Sequence, residues 1–102
     1  MKKFVGMLGL LAIVSATPAL AGGNGEALYT EKGCSACHGA AGDSQAGMFP
    51  KLKGQHAKYL ELQFKAIRDG KRTNSMASMM VGAVAGVSDA EAKAIADYLA
   101  AQ

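Results

Sequence analysis

The stretch KGCSACHGAAGD, residues 32–43, says more about the fold and function of this chain than any other, because it contains both cysteines. Cys34 and Cys37 are separated by two small residues, and His38 follows the second cysteine directly. Cys-x-x-Cys-His is typical of covalent haem attachment, in which each thiol adds across one vinyl group and the imidazole then reaches the iron. The sequence therefore predicts one haem c, attached covalently through Cys34 and Cys37, with His38 as an axial ligand.

Three other uses of two cysteines fit the pattern less well. A redox dithiol is usually found in a βαβ unit, and no run of alternating β-branched residues predicts strands here. A zinc site normally takes four ligands, and the second histidine of the chain, His56, lies far along the sequence. A plain structural disulfide would not require His38.

Residues 1–21 are predicted to be a cleaved signal peptide. Lys2 and Lys3 precede an apolar run over residues 4–16, and the segment ends in an Ala-x-Ala pattern. The apolar run is shorter than the roughly 20 residues that span a bilayer. We therefore expect export to the periplasm of a single domain, residues 22–102, without stable membrane insertion after cleavage.

The charge of the predicted domain gives no reason to expect a nucleic-acid partner. The whole chain has 11 Lys and Arg against 8 Asp and Glu, so loss of Lys2 and Lys3 leaves nine basic residues and a net charge of +1. Basic residues do not cluster or alternate with aromatic ones, as they would on a surface that binds nucleic acid.

Three helices are predicted, with glycine-rich loops between them, so the fold class is all-α. The first helix runs from Gly25 to about Lys32 with Asn24 as its N-cap, and the second runs from about Gln55 to Asp69. The third begins at a capping box, Ser88-Asp89-Ala90-Glu91. Apolar residues repeat at helical spacing in the last two helices: Leu60, Phe64 and Ile67, then Ala92, Ile95, Ala96 and Leu99.

The predicted domain lacks the bulk to fill its own interior. The chain has no Trp and only three Phe and three Tyr, and a domain of this size has a marginal core. Small domains compensate with disulfides, metals or another added core. We therefore expect haem to form the missing core, and the chain without haem not to fold stably.

The ordered set of motifs resembles the class I cytochromes c, in particular the small soluble monohaem cytochromes of bacteria. The resemblance rests on Gly25-x-x-x-Tyr29, the cysteine motif, FPKLKGQHAKYL at residues 49–60, the methionine cluster before VSDAE, and ADYL at residues 96–99. It implies three main helices and loops wrapped around one covalently attached haem. It also implies a one-electron carrier rather than an enzyme, so no catalytic residues are expected.

The resemblance implies two further contacts to haem. The sixth ligand of the iron stands eight residues before the serine that caps the last helix, and this residue is Met80. Met79 and Met76 remain alternatives, and the adjacent Met79 and Met80 cannot both reach one iron. A proline carbonyl twelve residues after the iron-bound histidine accepts the free ring N–H in this family, and this role falls to Pro50.

The same resemblance places other residues away from the iron or in the packing around it. It puts Met48 on the histidine side of the haem and His56 at the surface. Gly25 and Tyr29 are expected to meet the last helix near Tyr98. Side chains that are expected to line the haem or the surrounding helix contacts are Tyr59, Leu60, Phe64, Ile95 and Leu99.

Two rival functions remain open from the sequence. A haem subunit held permanently by a dehydrogenase would use the same motifs as a free carrier. A ligand-binding haem protein would need an open axial position, and the methionine cluster argues against one. The expected partners are a donor and an acceptor redox protein, such as a dehydrogenase, an oxidase or a reductase, and the chain is expected to be a monomer.

Overall fold

The computed structural model describes residues 24–74 and 76–102, and this part of the chain is helical with no strands. The predicted signal peptide, residues 1–21, lies outside the described residues. Within them, 3₁₀ turns cover Ala40–Gly42 and Ala77–Met80, and no helix is long and apolar enough to cross a membrane. The helices are α1 (Gly25–Glu31), α2 (Cys34–His38), α3 (Ala57–Arg68), α4 (Val81–Val84) and α5 (Asp89–Ala100).

Helix α5 is the centre of the fold, because both α1 and α3 pack against it. The predicted apolar stripe of α5 is confirmed, since each of the four residues in the stripe is at most 1 % exposed. The stripe of α3 is also buried, whereas Tyr59 is 51 % exposed and does not join the core. Burial of these faces supplies the main stabilisation of such short helices. The core residues of α1, α3 and α5 are Leu28, Tyr29, Leu60, Phe64, Ile67, Ala92, Ala94, Ile95, Ala96 and Leu99.

The contact between α1 and α5 depends on a glycine, as predicted. A Cβ atom at Gly25 would lie 2.2 Å from the carbonyl oxygen of Ala94 and 2.5 Å from Cβ of Tyr98. The rings of Tyr29 and Tyr98 pack beside this point with their centroids 5.8 Å apart. Any side chain at Gly25 would therefore force the two helices apart.

The start of α5 agrees with the prediction from sequence, whereas the cap of α1 and the start of α3 differ from it. The capping box of α5 is confirmed, because Glu91 N donates to Ser88 Oγ (3.1 Å) and Ser88 N donates to Glu91 Oε1 (3.0 Å). Asn24 occupies the N-cap position of α1 without a side-chain cap, since its φ of −122° and ψ of 25° lie outside the extended region of capping residues. Helix α3 begins two residues later than predicted, because Gln55 N donates to Leu52 O in the preceding turn.

Two segments that lie between the three predicted helices are themselves helical. The Cys34–His38 motif forms α2, and residues 71–87 contain the Ala77–Met80 turn and α4. In that second segment Ala77, Val84 and Val87 are buried against the core. The local sequence is too short to form helix alone, so this structure depends on tertiary packing.

Candidate haem site

Helix α2 brings the two thiols and the imidazole of the motif together. Cys34 and Cys37 are three positions apart in a helix, which puts both sulfurs on one side of it. Cys34 is partly buried against the core, whereas Cys37 is exposed. His38 ends the helix and is only 5 % exposed. The thiols are therefore reachable from one direction while the imidazole is held inside.

The environment of Cys34 differs from that of a redox-active dithiol. Burial raises the pKa of the Cys34 thiol above its usual value. Reactive cysteines of dithiol oxidoreductases have a lowered pKa, because the thiolate is the nucleophile. The raised pKa thus distinguishes Cys34 from the activated thiol of a dithiol oxidoreductase.

The ring of His38 is fixed by the segment that carries Phe49 and Pro50. Its Nδ1 lies 2.9 Å from the carbonyl oxygen of Pro50, and a carbonyl only accepts, so Nδ1 carries the proton. The other ring nitrogen, Nε2, is then the basic one, which is the form that binds a metal. Phe49 packs edge-on with its centroid 6.3 Å from that of the imidazole. The contact that the family resemblance implied for Pro50 is present.

The turn after His38 is held from two other parts of the chain. The hydroxyl of Tyr29 in α1 donates to the carbonyl of Gly39. The carbonyl of Gly42 accepts from Leu52 N (2.9 Å) and Lys53 N (3.1 Å), which ties the turn to the chain just after Pro50. Gly39 and Gly42 have φ of 80° and 75°, positive values that glycine adopts without the steric cost of a Cβ.

The hydroxyl of Tyr29 is a site feature that the sequence did not reveal. The spacing of Gly25 and Tyr29 predicted only helix packing, and nothing in the sequence shows which carbonyl a phenol ten residues away will reach. Tyr29 is 1 % exposed. Burial is the main cause that raises its pKa to about 12. The phenol is therefore a neutral hydrogen-bond donor throughout the ordinary pH range.

The methionines differ in burial. Met80, the last residue of the 3₁₀ turn, is half-buried and packs against the core. Met48, Met76 and Met79 are 60 %, 41 % and 59 % exposed. Among the methionines of the described residues, Met80 is thus the one whose thioether approaches the interior. His56 is exposed at the N-cap of α3, as predicted.

The described residues fit a covalently attached haem. Two thiols share one side of a helix, a buried imidazole presents Nε2 as its basic nitrogen, and a half-buried thioether lies in a separate loop. Imidazole and thioether together are the axial ligands of cytochromes c.

Comparison with known proteins identifies the class. The sequence profile of the cytochrome c family matches residues 23–102, so the chain belongs to the cytochrome c family. Members of this family carry covalently attached haem c, and here the Cys34-x-x-Cys37-His38 motif supplies the attachment pattern. The protein is therefore a c-type cytochrome, a haem protein of electron transport.

Individual relatives sharpen this assignment. The chain is 44 % identical over 69 residues to cytochrome c-554(548) of Halomonas halodenitrificans, covering 68 % of this chain and 83 % of the relative. It is 42 % identical over 95 residues to cytochrome c4 of Pseudomonas aeruginosa, and the match covers 93 % of this chain and 44 % of the relative. It is 43 % identical over 67 residues to a thiosulfate dehydrogenase electron acceptor of Stutzerimonas stutzeri, and the match covers 66 % of this chain and 31 % of the relative. The chain thus spans less than half the length of the last two relatives.

Proposed function

We propose that this cytochrome is a periplasmic, monohaem carrier that transfers one electron at a time between a donor and an acceptor redox protein. The observation that carries the proposal is the buried His38, whose Nδ1 lies 2.9 Å from the Pro50 carbonyl oxygen at the end of the helix with both thiols. This arrangement leaves Nε2 as the basic nitrogen, and an oriented imidazole next to two attachment points is what haem ligation needs.

Each residue of the site has a distinct role in this proposal. Cys34 and Cys37 form the thioether links, His38 and Met80 are the axial ligands, and Pro50 holds the imidazole. Bound haem supplies an iron that alternates between the ferrous and ferric states. The hydrogen bond to Pro50 keeps the ring of His38 in one orientation in both states. Little structural rearrangement then accompanies electron transfer.

The choice of Met80 as the sixth ligand is supported by burial. Met79 is adjacent but 59 % exposed, and Met76 is 41 % exposed. Met80 packs against the core, so its side chain is already partly removed from water. A thioether held in this way costs less conformational entropy on binding iron than an exposed, freely rotating one.

The decisive experiment compares Met80→Ala with Met79→Ala in the purified, haem-loaded protein. We expect Met80→Ala to abolish the weak near-infrared sulfur–iron charge-transfer band of the ferric form and to permit rapid binding of carbon monoxide to the ferrous form. Met79→Ala should keep the band. A band that survives in Met80→Ala and disappears in Met79→Ala would transfer the ligand role to Met79. Rapid carbon monoxide binding to the unchanged protein would contradict the carrier function itself.

A second candidate function is a haem subunit that remains bound to a dehydrogenase. The relatives of Stutzerimonas stutzeri and Thiomonas intermedia, 43 % and 40 % identical, are named thiosulfate dehydrogenase electron acceptors. Purification of the native protein distinguishes the two candidates. A free carrier should elute alone at the size of one chain, whereas a subunit should co-purify with a stoichiometric dehydrogenase.

A further inference from the structure

A side chain at the end of α3 connects to the far end of the segment that carries Met80. We call residues 70–87, between α3 and α5, the methionine loop. Arg68 is the last residue of α3, and its Nη1 donates to the carbonyl oxygen of Val87 (3.1 Å) and to Oδ1 of Asp89 (2.8 Å). One guanidinium therefore joins the end of α3 to the last residue of the loop and to the first residue of α5.

The guanidinium is itself held in place. Its Nε and Nη2 donate to the two carboxylate oxygens of Asp69 at 2.8 and 3.1 Å. The hydrogen bond from Arg68 is the main reason that the pKa of Asp69 is lowered. The side chain of Arg68 is 20 % exposed, against 70 % for Asp89. The guanidinium thus binds Asp69 through Nε and Nη2, which leaves Nη1 to bind Val87 and Asp89 on the other side of the loop.

The first end of the methionine loop is held by the backbone. Lys71 N and Arg72 N both donate to the carbonyl of Ala66 in α3, at 2.7 and 3.0 Å. The start of the loop is therefore attached to α3 whatever side chains it carries. The other end reaches α3 through the side chain of Arg68, in addition to the buried contacts of Val84 and Val87.

We propose that Arg68 is a positioning residue for the sixth ligand: by closing the methionine loop at its base, it holds Met80 near the axial position of the haem iron. A loop with fixed ends presents its ligand at a higher effective concentration than one with a loose end. Without Arg68, the methionine should leave the iron more often, and an external ligand should then find the iron open more often. This inference rests on the proposed ligation by Met80.

Imidazole titration of the ferric haem-loaded protein measures this open population. When a binding-competent state is rare, the apparent dissociation constant is the intrinsic one divided by the population of that state. We expect Arg68→Gln to bind imidazole about fivefold more tightly than the unchanged protein, since one hydrogen bond of ordinary net strength is worth about that factor. Arg68→Lys, which keeps the charge but loses the fork, should show most of the same effect.

Lys93→Gln is the matched control. It removes one positive charge, as Arg68→Gln does, but breaks only the Lys93–Asp97 ion pair (2.7 Å) on the outer face of α5. It should leave imidazole affinity unchanged. Urea unfolding of each variant separates a loop effect from general destabilisation, because the globally unfolded fraction of a stable protein is too small to change imidazole affinity fivefold.

Met80→Ala separates failure of this inference from failure of the proposed ligand. Met80→Ala should bind imidazole most tightly of all. Equal affinity in Met80→Ala and the unchanged protein would overturn the ligation by Met80, and the role of Arg68 with it. If Met80→Ala binds imidazole more tightly than the unchanged protein but both Arg68 variants bind it equally to the unchanged protein, the role of Arg68 alone is overturned. Failure of both Arg68 variants to take up haem would also overturn it, since a loop-closing contact is not required for attachment.

Discussion

The two sides of the site are built in different ways. On the histidine side, α2 and the segment up to Pro50, the imidazole is 5 % exposed, and hydrogen bonds from Tyr29, Leu52 and Lys53 hold the turn behind it. On the methionine side, the methionine loop has two of its three methionines exposed and is attached to α3 at its two ends. The imidazole on the histidine side is enclosed and its turn is held by several hydrogen bonds, whereas the methionine side combines the buried Ala77, Val84 and Val87 with exposed methionines and hydrogen bonds at the two loop ends.

This difference indicates where the protein tolerates change. Substitutions on the histidine side should lower the free energy of unfolding, because they create clashes or leave buried groups without partners. Substitutions on the methionine side should mainly change how often the loop releases its ligand. Comparable substitutions on the two sides therefore test the comparison directly.

Removal of both thiols should have the largest effect. In the Cys34→Ala, Cys37→Ala double variant, we expect no covalent haem and no cooperative thermal unfolding, because we propose that the haem completes the core of this small chain. Mass spectrometry measures the attachment, and circular dichroism measures the thermal transition. Met79→Leu on the methionine side is the control and should keep both. A sharp transition in the haem-free double variant would show that the polypeptide core suffices alone.

Glycine-to-alanine substitutions compare the α1–α5 contact, from which Tyr29 reaches the turn behind His38, with the methionine side. Gly25→Ala should lower the free energy of unfolding by about 3 kcal/mol, because the new Cβ would lie 2.2 Å from the carbonyl oxygen of Ala94. A Cβ at Gly82 in α4 meets no other atom within 4 Å, so Gly82→Ala should be neutral or stabilise by up to about 1 kcal/mol. Urea unfolding of the haem-loaded variants measures both. Similar losses in the two variants would remove the contrast between the α1–α5 contact and the methionine side.

Tyr29→Phe tests the hydrogen bond behind His38. We expect a loss of about 1–2 kcal/mol, because the Gly39 carbonyl loses its side-chain donor. The pKa of Tyr29 is raised from 10.0 to about 12, so its contribution to stability is present below pH 10 and is lost as the pH rises from 10 to 12. Unfolding experiments across this range should therefore show a steeper loss in the unchanged protein than in Tyr29→Phe. Parallel pH profiles would show that the phenol keeps an ordinary pKa.

Arg72→Gln on the methionine side should have the smallest effect. It removes the hydrogen bond from Nη1 to Oε1 of Gln63 (2.9 Å) but leaves the backbone of Arg72 attached to Ala66. We expect a loss of about 0.5 kcal/mol, seen as a small shift of the urea midpoint with an unchanged slope. A loss larger than that of Tyr29→Phe would reverse the ranking of the two sides.

The parts of the fold that could be predicted from sequence are those specified by short-range patterns. The capping box at Ser88 and the apolar spacing of α3 and α5 each lie within one helix, and the structure confirms them. The helix α4 was missed, because its four residues, Val81–Val84, are too few to be stable without the core beneath them. Asn24 does occupy the predicted N-cap position, but its side chain forms no cap hydrogen bond, because the backbone there does not adopt the extended conformation.

The site follows the same division. The attachment motif is contiguous, so its chemistry could be read from the order of residues alone, and the family resemblance supplied Pro50 and Met80. The hydroxyl of Tyr29 and the guanidinium of Arg68 have partners 10 and 19 residues away. Nothing in either residue's neighbours in sequence indicates these partners. They became apparent only when α1, α3 and α5 were packed together.

The amino-acid sequence by itself establishes that this chain carries a haem attachment motif on a helical domain, because a spacing of two residues between thiols and an adjacent imidazole is a local, covalent property. Tertiary structure decides which methionine turns inward, how the imidazole of His38 is buried, and which groups close the methionine loop. Those features depend on contacts between residues far apart in the chain, and such contacts exist only after the helices have packed around α5.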